Sequence, residues 1–282
     1  MNCKRFLIYA IFILTLFIAL PANCGPTPQP LTILIHPYRT AAILTKNFTP
    51  LAEYLSKAAN TPIRVEISKS YKSHMQQVGE EQFGLAYLGP APYVQITHTY
   101  GAKTILGRLE VNGSPFFHGI IIARKDSSVK ELKDLVNKKF AFGDPNSTMS
   151  HFVPRFMLAQ AGVDIANLKD HAFLGMHANV ALGVIGGYYD AGGVKENIFA
   201  TYKDRGVKLL AKSPPISEHL FVAAKHIPPA TVENIRQALY SLQDPTILSL
   251  IKKSLTGIVP SEDKDYDSLR VILKKFNKMQ IK

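Results

Sequence analysis

Cysteine is nearly missing from this 282-residue chain: there are two, Cys3 and Cys24, both near its start. A disulfide framework, a thiol nucleophile and a thiolate metal site are therefore not expected beyond residue 24. Long hydrophobic runs are equally scarce. The clear example, Phe6 to Leu20, carries no charge but covers only 15 residues, short of the about 20 that a helix needs to cross the hydrocarbon core. Lys4 and Arg5 precede this run, and Pro21, Asn23, Gly25 and Pro26 stop it. That layout predicts a secretory signal peptide over residues 1–24 and a periplasmic or other extracytoplasmic destination. Cys24 offers lipidation as an alternative, although Pro21-Ala22-Asn23 is a poor lipobox because Asn stands where a small residue is expected.

Catalytic signatures are missing too. No G-x-S-x-G, H-E-x-x-H or Walker A pattern occurs, so an enzyme is not expected, nor a cofactor or metal. His151 and His177 with Asp144 could imitate a hydrolytic or metal site, but nothing at motif spacing supplies a third ligand or an activated serine. There is no repeat array, no low-complexity tract and no run of five or six like charges. The aromatic residues lack the basic interleaving that stacks nucleic-acid bases, so nucleic acid is not an expected partner.

What the chain does have is an excess of dispersed positive charge, +12 formally and about +10 without Lys4 and Arg5. Such an excess suits an anionic ligand or nucleic acid, or a solvated basic surface with no specific partner. About 258 residues follow the leader, enough for two α/β lobes.

A strand-then-helix rhythm fills that length and predicts α/β lobes with largely parallel sheets. Leu31 to His36 reads as a buried strand. Thr49-Pro50 reads as an N-cap and first helical position, with Leu51, Tyr54, Leu55 and Ala58 following at helical spacing. Ile63 to Ile67 alternates as a strand, and Phe83 to Leu88 is a short apolar strand ended by Gly89-Pro90. Asn112 to Pro115 is the expected first crossover to a second lobe, and Ser213-Pro214-Pro215 the expected return. Helices are expected near Tyr71 to Val78, Lys130 to Val136, Ser150 to Ala161, Asn179 onward, Thr231 to Leu242, Thr246 to Leu255 and Asp267 to Asn277. The resulting lobes are 25–114 plus 215–282, and 115–214. A cleft between them would gather strand ends and helix N-termini, where open α/β sheets bind ligands.

The segment from Phe142 to His151 follows an expected strand and opens an expected helix. Ser147 and Thr148 offer hydroxyl donors, and the first helical turn offers unpaired N–H groups and a positive dipole end. That chemistry suits an anion; an ordinary capping turn uses the same residue types. Gly89-Pro90-Ala91-Pro92-Tyr93 is a second strand-to-helix loop, in which Tyr93 reads either as a phenolic donor or as a core residue. His177, at a helix start, and Glu196, after Asp190-Ala191-Gly192-Gly193, read as cleft residues or as capping and surface groups.

These residues carry a resemblance. Leu88 to Tyr93, Ile121 to Ser127 with Leu132 to Leu135, Phe142 to Thr148 and Asp190 to Gly192 resemble the PhnD-like family of phosphate, phosphite and phosphonate binding proteins of ABC transporters. The Asp144-Pro145-Asn146-Ser147-Thr148 string is the most specific of them. The resemblance implies a two-lobed type II periplasmic-binding fold, each lobe a mixed sheet flanked by helices, with a ligand cleft between them and hinge closure. It implies a monomer that passes a small oxyanion to a permease in the inner membrane. It also implies that Ser147 and Thr148 hold the oxyanion with helix N–H groups while Tyr93, His151 and His177 bond its other oxygens. Tyr38 and Glu196 are further implied contacts, Glu196 toward the ammonium group of an amino-phosphonate. Two positions depart from the pattern: Ser217-Glu218-His219, near the return crossover where an acidic pattern is expected, and His151, where glycine or another residue often stands. A sensory protein of the same fold, a binder of a sulfonate or vitamin precursor, and a phosphate-ester hydrolase are the competing readings.

Overall fold

The structure is a computed structural model that describes residues 30–276. The expected leader, with Cys3 and Cys24, lies outside the described residues. Among the described residues, thirteen strands form two mixed sheets and a short ribbon. The first sheet contains β1 (Leu31–Ile35), β2 (Ile63–Ile67), β3 (Leu85–Leu88), β4 (Thr104–Val111), β12 (Leu220–Ala223) and β13 (Leu255–Val259). The second contains β6 (Gly119–Arg124), β7 (Lys139–Phe142), β8 (Asp170–Phe173), β9 (Ala191–Lys195) and β10 (Val207–Lys212). Between them, β5 (Phe116–Phe117) pairs antiparallel with β11 (Ile216–Ser217). The helices are α1 (Ala41–Ala59), α2 (Tyr71–Gly79), α3 (Pro90–Tyr100), α4 (Val153–Gln160), α5 (His177–Ile185), α6 (Glu196–Tyr202), α7 (Pro229–Ser241), α8 (Pro245–Ile251) and α9 (Asp267–Lys275).

The strand order is β13-β4-β12-β3-β1-β2 in the first sheet and β10-β6-β9-β7-β8 in the second. The chain thus leaves the first sheet after β4 and returns to it as β12, the ribbon holding both passages side by side. Parallel pairing is confined to β2-β1-β3 and to β8-β7-β9; the remaining pairs in both sheets are antiparallel. The sheets are therefore mixed, not largely parallel as the strand–helix rhythm suggested. The reversal comes from strands that arrive by crossover, whose direction the local rhythm does not encode.

Three other elements differ from expectation. Helix α1 begins at Ala41 and runs through Pro50 instead of starting there. Its buried stripe of Leu44, Phe48, Leu51 and Leu55 spans the proline, and burying that stripe outweighs the about 3 kcal/mol that an interior proline costs. The region near Leu255 is strand β13 rather than a helix end, with Leu255 and Ile258 buried against β4. Lys130 to Val136 forms only a single 3₁₀ turn, Leu132–Leu135. Among the described residues, no helix is long and apolar enough to cross a membrane, and no cluster of His, Cys, Asp and Glu is placed to hold a metal ion.

Candidate functional site

Strand ends and helix starts from both sheets meet at a cavity of about 20 Å³, on the scale of one or two water-sized bodies. From the first sheet's side come His36 and Tyr38 beyond β1, Tyr71 at the start of α2, Gly89 and Pro92 at the start of α3, and His219 just before β12. From the second come Ser147, Thr148 and Met149, His177 at the start of α5, and Lys195 at the end of β9. Phe117 of the ribbon completes the wall.

The Ser147–Thr148 loop owes its shape to close packing. Ser147 caps the following turn, its hydroxyl oxygen accepting from the Ser150 N–H at 3.2 Å. The turn Thr148–Phe152 is a wide π turn before α4, a local widening that recurs at functional sites. Gly143 lets it approach, since a Cβ there would lie 2.4 Å from Ser150 Oγ. The Thr148 hydroxyl oxygen accepts from the Ala91 N–H at 2.9 Å, so this residue of the second sheet's side touches the first turn of α3 directly. Both hydroxyl oxygens thus already accept a backbone hydrogen, which leaves each O–H as a donor.

The imidazoles are set by their neighbours. His177 Nδ1 accepts from the Lys195 N–H at 3.2 Å, so its Nε2 carries the hydrogen, 3.4 Å from Ser147 Oγ. His36 Nδ1 lies 3.2 Å from the Tyr87 carbonyl, which makes it the protonated nitrogen and leaves Nε2 an acceptor. His219 Nδ1 donates to Glu218 Oε2 at 3.0 Å. Burial and neighbouring cations and imidazoles hold His36 and His177 well below the ordinary histidine range. Lys195 lies 5.3 Å from the Tyr38 ring centroid; burial, followed by the Lys252 charge, pushes its pKa down to about 8 against the pull of Glu218. It remains mostly a cation at neutral pH. Burial also pushes the Tyr38 phenol up to about 12, keeping it a donor.

Of the residues expected from the sequence, Ser147, Thr148, His177 and Tyr38 line the cavity. Tyr93, His151 and Glu196 do not. The Tyr93 hydroxyl donates to Asp263 at 2.6 Å and its ring packs 4.8 Å from that of Tyr266. His151 donates from Nδ1 to the Pro145 carbonyl at 2.6 Å and sits among Phe142, Phe152 and Phe173. Glu196 opens α6, its N–H bonded to the His118 carbonyl at 3.3 Å. The neighbouring residue Lys195 faces the cavity instead, because strand alternation turns the last side chain of β9 inward while Glu196 begins the helix. Sequence reasoning also missed His36, Tyr71 and His219. The usable signal was position: each lies at a strand end or helix start of the kind that Ser147 and His177 occupy.

A model of the family described as ABC transporter, phosphonate, periplasmic substrate-binding protein matches residues 33–266. The chain belongs to this family. It is the substrate-binding component of an ABC transporter, with the fold of a type II periplasmic binding protein. Among curated relatives, the phosphate-import protein PhnD of Mycolicibacterium smegmatis is 26% identical over 86% of this chain and 84% of its own length. The solved structure of PhnD1 from Prochlorococcus marinus in complex with methylphosphonate has a TM-score of 0.80 at 21% identity, covering 89% of this chain and 99% of that one. A binding protein component of an ABC phosphonate transporter from Pseudomonas aeruginosa reaches 0.77 at 18% identity, covering 90% of this chain and 88% of that one.

Proposed function

We propose that this protein, once exported, captures a small tetrahedral oxyanion (a phosphonate, phosphite or phosphate) between two lobes, 25–114 with 215–282 and 115–214, and hands it to an inner-membrane permease. It acts as a monomer and converts nothing. The observation that carries this reading is the donor set: the Ser147 and Thr148 hydroxyls, the His177 Nε2–H and the Lys195 cation converge on one small cavity. Several donors around one point, with a cation and no unpaired carboxylate among the lining residues, are what a compact multi-oxygen anion requires. The names of the curated relatives, a phosphate-import and a phosphite-binding protein among them, point to the same ligand class. The cavity's size favours a small anion over one with a long organic tail.

The test is a thermal-stability panel on residues 25–282 at fixed ionic strength, against phosphate, phosphite, methylphosphonate, 2-aminoethylphosphonate and sulfate. A ligand at about 100 times its Kd should add about 2.7 kcal/mol, and a rise confined to phosphorus anions is expected. A panel without any rise would remove the oxyanion reading.

Thr148→Val should weaken binding of whichever anion raises the melting temperature by about 1–3 kcal/mol, because an oxyanion oxygen and the Ala91 N–H both lose a partner. Titration calorimetry reads this directly, and unchanged affinity would place the ligand elsewhere.

A further inference from the structure

The carboxylate of Glu218 is fully buried and sits directly behind a cavity-lining imidazole. Its Oε2 accepts from both the His219 Nδ1–H and the His219 backbone N–H at 3.0 Å. Its other oxygen is held by the Lys252 ammonium. This arrangement fixes the tautomer of His219 and leaves Nε2 as its free ring nitrogen, which would lie 3.7 Å from a Cβ added to Gly89 at the cavity wall. The ring packs against both His36 and Tyr87 on the first sheet's side, with centroids at 5.9 and 5.3 Å, and it meets Phe117 of the ribbon. The other charged or titratable groups acting on it are Lys195, Lys252 and Glu218, with His177 facing it from α5.

In its neutral form this imidazole presents an acceptor to the cavity, where a fully ionised anion has no hydrogen to offer. An oxyanion can satisfy Nε2 in one way only: one acidic hydrogen must lie between the ligand oxygen and the ring. We propose that Glu218 and His219 form a proton-sharing pair that restricts the site to oxyanions able to hold one acidic hydrogen, phosphorus acids rather than sulfonates or sulfate. A hydrogen-phosphonate monoanion brings that hydrogen on its own P–OH. A dianion binds with uptake of one proton from solvent, which ends between the ligand oxygen and Nε2, while Glu218 balances the charge that develops on the ring. No bond other than O–H or N–H is made or broken.

This rests on the oxyanion reading above and can fail separately from it. Methylphosphonate and methanesulfonate share a shape, but only the first holds an acidic hydrogen near neutral pH. Titration calorimetry with the wild-type protein should show methanesulfonate binding at least about 100-fold more weakly, as expected when a buried polar group loses its partner. Repeating the methylphosphonate titration in buffers of different ionisation enthalpy gives the number of protons taken up. That number should climb toward one as pH rises through the ligand's second ionisation. In His219→Gln it should fall clearly below the wild-type number across that pH range, and the preference over methanesulfonate should shrink by about tenfold or more. Glu218→Gln also removes the pull that raises the Lys195 pKa, so the deciding comparison is between wild type and His219→Gln, which both keep that carboxylate and in which the Lys195 share cancels in the difference. Proton uptake unchanged in His219→Gln, or wild-type affinities for the two anions within a few-fold, would overturn the pair's role while leaving anion capture standing. If methylphosphonate and the rest of the panel fail to bind at all, the oxyanion reading and the pair fall together.

Discussion

Acidification from pH 7 to about 4 should cost this protein about 3 kcal/mol of folding stability from His74 alone, before any carboxylate titrates fully. His74 is completely buried, its Nδ1 lying 3.0 Å from the Ser68 hydroxyl, and burial lowers its pKa from 6.5 to about 3. A depressed histidine leaves stability untouched above the unfolded-state value of 6.5. Below it, the unfolded chain binds a proton that the folded chain refuses, and stability falls by about 1.4 kcal/mol per pH unit until the folded value is reached. His36 and His177 are depressed in the same direction and add to the slope. Urea unfolding at pH 7.5, 6, 5 and 4 measures it. A free energy that holds constant between pH 7 and 5 would mean that these imidazoles are hydrated or can be charged in place.

Glu218→Ala should destabilise the protein by about 3–5 kcal/mol, the range for removing one member of a buried ion pair. The carboxylate is fully buried and engages Lys252 and His219 together. Its backbone ties in two more segments, the N–H donating to the Pro115 carbonyl at 2.9 Å and the carbonyl accepting from the Tyr266 hydroxyl at 3.2 Å. Burial alone would raise the pKa of this acid, but the His219 hydrogen bond and the Lys252 charge outweigh it and bring the value to about 2. The stability tied to that shift is present in full above about pH 4.5, the unfolded value, and is lost as pH falls through about 2. The wild type should therefore lose this contribution only in strong acid, well after the histidine term has acted, whereas the variant should lack it at every pH. Chemical denaturation of both proteins at neutral pH is sufficient. A loss under about 1 kcal/mol would show that Lys252 and His219 rehydrate freely once the carboxylate is gone.

The loops that open helices were the readable part of the site. Ser147, Thr148 and His177 announce themselves because capping chemistry and anion chemistry use the same donors, and Tyr38 stands just past a strand whose apolar run is plain. Tyr93 satisfied the same pattern, yet its hydroxyl is turned to Asp263 across a helix that only the tertiary fold brings near. Position marks Lys195 and His219 as strand-end residues, but nothing local says that their side chains face the cavity. Lys195 ends a strand and His219 immediately precedes one whose neighbours arrive from distant sequence, β9 between β6 and β7, and β12 between β3 and β4. Which face such a strand turns toward the cavity depends on pairing partners that local spacing does not specify. The same limit accounts for the sheet directions: hydrophobic rhythm placed most strands within a few residues, but it could not say that β4, β12 and β13 run antiparallel.

The position of β12 in the first sheet also sets the order in which the molecule can assemble. It is an interior strand, pairing Leu220 with Leu88 on one side and with Arg108 on the other. Residues 31–111 leave the ribosome with β3 and β4 unable to complete their common sheet, and they stay so until the chain has passed residue 223. The second sheet, drawn from the unbroken stretch 119–212, has no such wait. Completing the first sheet must close a loop of more than a hundred residues, and contacts of that span slow folding. An architecture that delays its own completion keeps the polypeptide unfolded for longer, which would suit the export proposed above.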